Sequence, residues 1–259
     1  MNDVADGVVS PVGVYPLPGF YEPFGAMSHL LGAALFLILG VMLLRRGAGS
    51  VSRLICLGIY AVSCLFLMSM SGVYHMMTDG STAHTVMGRL DHSAIFILIA
   101  GTFTPTHGIL FRGWRRYGPL AFIWVAAIAG ITLKAVHFNA VPEWLGLALY
   151  LGLGWVGAIS GAMIYQRYGL AMIVPLACGA VAYTGGAIAD YLAWPILIPR
   201  IIEGHEVFHL AVLAGAISHW LFIWRFADGR AQPCGPHTGV APNGAFETCA
   251  ALQPLNAAS

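Results

Sequence analysis

Charge is what this sequence lacks most. Only 9% of its 259 residues are charged, while 58% are hydrophobic; a soluble domain carries about 25% charge. That leaves too little polar surface to cover a water-soluble fold, so the chain reads as an integral membrane protein. Its net charge is +1, and its basic residues are nearly all Arg placed near the ends of apolar runs. This excludes the footprint of a nucleic-acid-binding protein. Cysteine is sparse: Cys56, Cys64, Cys178, Cys234 and Cys249 show no paired spacing. No disulfide framework is expected, and the cysteines read as small packing residues. A basic stretch ahead of an early apolar run is missing as well. Asp3, Asp6 and Glu22 precede the first run, so no cleavable signal peptide is expected.

Long apolar runs are what the chain has in abundance. A spanning helix needs about 20 residues, and seven runs qualify: Met27–Leu44, Leu54–Met77, His92–Phe111, Tyr117–Val136, Trp144–Gln166, Tyr168–Ala189 and Glu206–Trp224. Lys134, near the end of the fourth, is expected to snorkel toward the interface. Gly and Ala within the runs suit close helix packing in lipid. The expected fold class is an all-α, seven-transmembrane bundle over residues 22–227, with an N-terminal tail (1–21) and a Gly-, Pro- and Ala-rich disordered tail (228–259).

The basic residues orient the bundle. Arg45, Arg46, Arg53, Arg112, Arg115, Arg116, Arg167, Arg225 and Arg230 fall on one side of a seven-span arrangement; Arg89, Lys134 and Arg200 fall on the other. The positive-inside rule then places the N-terminus outside and the C-terminus in the cytoplasm. Parity adds a second constraint, because ends of even spans and starts of odd spans share one face. Glu22, His29, Ser71, His75, Asp91, Asp190, His205 and His209 should therefore converge on the outer half.

The stretch His205-Glu206-Val207-Phe208-His209 gives that convergence a chemistry. On a helix, residues four apart share a face, so His205 and His209 can offer two imidazoles to one ion. The five residues also match the H-E-x-x-H pattern, in which the Glu is a general base. His219, about 20 Å further along the helix at 1.5 Å per residue, is too distant to join them. A third ligand must come from upstream, where His75 follows Ser71, with Asp91 beyond. Ionisable groups cost roughly 2.5–3.5 kcal/mol each in lipid, so a cluster at one depth calls for a cation to offset it.

Bland alternatives stand beside each residue. Lone intramembrane histidines such as His92, His107, His137 and His219 read as hydrogen-bonded packing residues. Asp91 could cap the third span, Ser71 could bond its own helix backbone, and Asp190 could be an interfacial acid.

Taken together, several motifs resemble the hemolysin III family, the bacterial branch of the progestin and adipoQ receptor superfamily that includes the adiponectin receptors and is distantly related to alkaline ceramidases. They are Ser28-His29-Leu30-Leu31-Gly32, Ser71-x-x-x-His75, Arg89-Leu90-Asp91-His92-Ser93-Ala94-Ile95-Phe96, Ala100-Gly101-Thr102-Phe103-Thr104-Pro105, Ala182-Tyr183-Thr184-Gly185-Gly186 and His205-Glu206-x-x-His209-Leu210. The resemblance implies a multi-pass protein of the bacterial plasma membrane that binds Zn2+ through His75, His205 and His209, with Ser71 and Asp91 beside the metal. Two positions depart from the pattern. The early Glu is usually followed three residues on by Asn, whereas here Glu22 is followed by Pro23 and then Gly25. Asp190 stands where an aromatic is expected.

Three function classes follow. The first is a zinc hydrolase of a membrane lipid amide or ester, with Asp91, Ser71 and Glu206 as candidate catalytic groups. The second is a cytolysin or pore, although spans apolar almost all round offer no polar conduit. The third is a receptor-like protein with a structural zinc. An H-E-x-x-H intramembrane protease and a haem protein are lesser rivals, since histidines four apart on one helix suit one ion better than axial ligation.

Overall fold

The computed structural model describes residues 19–199 and 201–234. Seven helical spans are long and apolar enough to cross a membrane, and no strand occurs among the described residues. They are formed by α1 (Pro23–Arg46), α2 (Val51–Tyr74), α3 (Thr82–Leu110), α4 (Trp114–Val136), α5 (Glu143–Trp155) with α6 (Gly157–Tyr168), α7 (Leu170–Tyr191) and α8 (Gly204–Trp224). The fold class expected from the sequence holds. Most of residues 1–21 and of 228–259 lie outside the described residues. The first part of that second segment is held against the bundle, with Asp228 pairing Arg46 at 3.1 Å and Cys234 N donating to Arg167 O at 2.9 Å.

Local chemistry sets the helix starts. Pro23 occupies the first turn of α1, where its missing N–H costs nothing. Ser50 caps α2 by accepting from Arg53 N, and Ser81 caps α3 by accepting from His84 N at 3.0 Å. The second cap corrects an expectation: α3 begins at Thr82, well before His92, so Asp91 lies inside the helix and does not cap it. The fifth span runs from Glu143 to Tyr168 with a single tighter turn at Val156, in a glycine-rich stretch of low helix propensity, where Ile159 N reaches back to Val156 O at 3.2 Å. α7 runs past the expected Ala189 to Tyr191 and carries Asp190 in its last turn.

α3 is the central helix: 72% of its most apolar stretch is buried within the protein, against 17% for the α5–α6 span. Close approach to α2 depends on glycine, since a Cβ at Gly101 would stand 2.2 Å from Ser63 Oγ. Distant helices are tied by polar side chains that satisfy carbonyls. Tyr60 of α2 donates to Ala216 O of α8 at 3.1 Å, and Trp220 of α8 to Leu39 O of α1 at 3.1 Å. Two sequence expectations fail in the packing. Lys134 does not snorkel but is buried, 5% exposed. Cys56, Cys64 and Cys178 carry free thiols as expected, whereas Cys234 is disulfide-bonded.

Candidate metal centre

α2 ends at Tyr74, and His75 occupies its C-cap. The backbone there is pinned to the segment before α1, because Glu22 N donates to His75 O at 2.9 Å. On the opposite side, α8 opens with a reciprocal cap. Glu203 N donates to Glu206 Oε2 at 3.0 Å, while the Glu203 side chain accepts from the backbone of Glu206. The Glu of H-E-x-x-H is thus engaged in fixing the helix start that presents His205 and His209.

Three ring nitrogens meet between these two helix ends. His205 Nε2 lies 3.4 Å from His75 Nε2 and 3.1 Å from His209 Nε2, and ligand atoms of the three histidines all fall within 4.8 Å of one another. Imidazole nitrogens about 2.0–2.1 Å from one tetrahedral ion stand about 3.3 Å apart, so the spacing fits a shared metal.

The remaining ring nitrogens explain why the three converge. His205 Nδ1 is 2.8 Å from Asp190 Oδ1, and His75 Nδ1 bonds Glu22 Oε2. A carboxylate can only accept, so each Nδ1 carries the proton and each Nε2 turns a lone pair inward. Lone pairs at such distances repel unless a cation lies between them. His209 Nδ1 is buried and has no hydrogen-bond partner among the described residues. Burial alone would push the Glu22 carboxyl up, yet the hydrogen bond it accepts from His75 holds it below its ordinary value.

α1 closes the third side. The His29 ring packs on His209 with centroids 4.0 Å apart, and its Nε2 lies 3.3 Å from His209 O. Gly25 faces the same rings: a Cβ there would meet His75 Cγ at 3.3 Å and His209 Cε1 at 3.4 Å. The position where the family resemblance leads one to expect Asn therefore borders the site itself.

All eight residues expected to share one face line one cavity of about 1090 Å³. It runs from the histidines between α3, α5, α7 and α8 as far as His219. Ser71 is buried on α2, and among the described residues its hydroxyl makes no bond to its own helix of the kind Ser63, Thr102 and Thr106 make. Asp91 also faces this cavity, its side chain 16% exposed. Glu206 borders the cavity but stands apart from the three-histidine group.

The other histidines sort as packing residues. His92 Nδ1 bonds Gly88 O at 2.8 Å, His107 bonds Arg115 O and Ser160 Oγ, each at 2.8 Å, and His219 Nε2 lies 3.3 Å from Leu176 O. His137 differs, being exposed at the C-cap of α4. Sequence reasoning left two supports without a role, Asp190 and Glu22. The available signal was their parity with the histidines, which placed both acids at the same end of the bundle.

The sequence of this bundle is similar to those of known proteins. The family model described as Haemolysin-III related matches residues 20–220, from the approach to α1 into α8. The chain is 30% identical over 197 residues to the Hemolysin-3 homolog of Bacillus subtilis (strain 168), covering 75% of this chain and 89% of that protein. It is 29% identical over 200 residues to Hemolysin-3 of Bacillus cereus, covering 75% and 86%. With the human monocyte to macrophage differentiation factor it shares 28% identity over 198 residues, covering 73% and 77%. A match that takes in almost the whole helical bundle makes this chain a member of the Haemolysin-III related family.

Proposed function

We propose that this protein is a zinc-dependent hydrolase acting on a membrane lipid, an amide or an ester. The observation that carries the reading is three convergent Nε2 atoms, two of them oriented by carboxylates, opening on a large and mostly apolar cavity. His75, His205 and His209 are the neutral nitrogen ligands zinc prefers, and three protein ligands are the number typical of catalytic sites. Zinc bound there supplies Lewis acidity at neutral pH.

The chain's own residues do the rest. Glu22 and Asp190 hold two rings in the ligating tautomer. Asp91, facing the same cavity, takes the proton from the attacking water and passes it to the leaving nitrogen or oxygen. Ser71 donates its hydroxyl hydrogen to the carbonyl oxygen as charge builds there. Glu206, already committed to the α8 cap, is not the base. The apolar cavity walls let acyl chains remain in a hydrocarbon environment while the carbonyl reaches the polar end.

We also place the histidine end on the non-cytoplasmic side of a bacterial plasma membrane, following the excess of Arg at the opposite end.

The test is metal analysis of purified protein followed by assay against a panel of acyl-amide and acyl-ester lipids. One zinc per chain with turnover on a panel member supports the reading. Zinc-replete protein with no turnover on any member favours a structural metal in a receptor-like protein.

A further inference from the structure

Lys134 is the chain's single lysine. It lies on α4 near the same end of the bundle as the histidines, is 5% exposed, and lines the cavity. Ion pairs among the described residues join Arg46 to Asp228 and four histidines to carboxylates; none involves Lys134. No hydrogen bond among the described residues uses its ammonium group; the carboxylate whose charge acts on it is Glu143, at the start of α5 and on the same cavity wall but beyond ion-pair distance, and the Phe138 ring has its centroid 5.7 Å from Nζ. Across the cavity edge Gly146 makes room, since a Cβ there would stand 2.9 Å from Nζ.

An unpaired ammonium is expensive inside a bilayer. Where one persists it usually faces a pathway or ligand that carries its counter-charge. Every other basic residue of the chain is an Arg, which favours bidentate surface contacts, whereas a Lys offers a compact point charge with rotatable donors. Of the other acids on the cavity wall, Glu22, Asp190 and Glu206 are engaged by His75, His205 and the α8 cap, and Asp91 lies 3.8 Å from His92. The cavity is apolar over most of its wall, so its occupant combines hydrocarbon with one anionic end.

We propose that Lys134 is the binding residue for an acidic head group, and that the lipid occupying this cavity is anionic. The shared chemistry is a phosphate or carboxylate oxyanion at the head of one or more acyl chains, held by Nζ while the chains extend toward His219. This rests on the reading of the cavity as the lipid site of the proposed hydrolase and narrows its substrate to acidic lipids.

The experiment measures retention rather than turnover. Zinc-loaded protein in an uncharged detergent is offered phosphatidylglycerol against phosphatidylcholine, and palmitate against palmityl alcohol, with retained lipid read by native mass spectrometry. The wild type should retain each anionic member at least about tenfold more than its neutral partner, the scale expected for a hydrogen bond to a charged group. Preference for phosphatidylglycerol alone identifies a phospholipid head group, and preference for palmitate alone a carboxylate. Lys134→Met and Lys134→Gln should abolish the preference at unchanged zinc content, and Lys134→Arg should restore most of it. Equal retention of anionic and neutral lipids by the wild type overturns the proposal, as does a preference that survives in either neutral variant. Turnover scored separately keeps the two readings apart: selective retention without hydrolysis removes the enzyme and leaves the anion site.

Discussion

Asp190 Oδ1 and His205 Nδ1 stand 2.8 Å apart, fifteen residues apart in sequence, joining the last turn of α7 to the first turn of α8. This bond fixes which nitrogen of His205 faces the cluster, and Glu22 does the same for His75. Outer carboxylates of this kind are typically worth 10- to 100-fold in metal affinity. Asp190→Asn and Glu22→Gln should therefore each weaken zinc binding by about that factor in a chelator competition while leaving the helical content unchanged. Affinity equal to wild type in both would mean that the carboxylates do not support the metal.

The three histidines should be equivalent in stoichiometry. His75→Ala, at the C-cap of α2, should lower zinc content as much as His209→Ala, on α8, because loss of any corner leaves two ligands. Full zinc in the His75 variant, with unchanged histidine coordination by X-ray absorption, would mean that the third ligand lies elsewhere.

Asp91 and Glu206 should separate cleanly. Asp91→Asn is expected to keep zinc and to lose about 10²- to 10⁴-fold in turnover, the usual worth of acid–base assistance. Glu206→Gln preserves a capping acceptor and should remain active, whereas Glu206→Ala should cost about 1 kcal/mol of stability in thermal melts through the lost cap. An Asp91→Asn variant as active as wild type would remove the assigned base.

Orientation can be read with reporters. A fusion after Trp224 should be active as a cytoplasmic fusion and silent as a periplasmic phosphatase. Phosphatase activity would reverse the topology and the face to which the histidines open.

Packing gives a prediction independent of function. Gly101→Ala places a methyl where Ser63 Oγ already stands, 2.2 Å from the new carbon, and should destabilise the bundle by about 1–3 kcal/mol. Adding Ser63→Gly should recover much of the loss; a melt unchanged by Gly101→Ala would show that α2 and α3 have slack at this contact.

The sequence by itself determined the membrane class, the seven spans and the side of the bundle on which each polar residue falls, because apolar run length and span parity are one-dimensional properties of the chain. It also held the pairing of His205 with His209, since four residues make one turn of helix. What it could not hold was anything that depends on how far a helix continues through polar residues. Ser81 caps α3 before its apolar run begins, and that places Asp91 within the helix. Nor could it reveal which partner each polar atom would choose. Only the folded bundle sets Asp190 against His205, commits Glu206 to the cap, and leaves Lys134 buried with no carboxylate among the described residues within ion-pair distance. Those outcomes follow from contacts between distant segments, where hydrogen-bond geometry over about 3 Å decides what periodicity cannot.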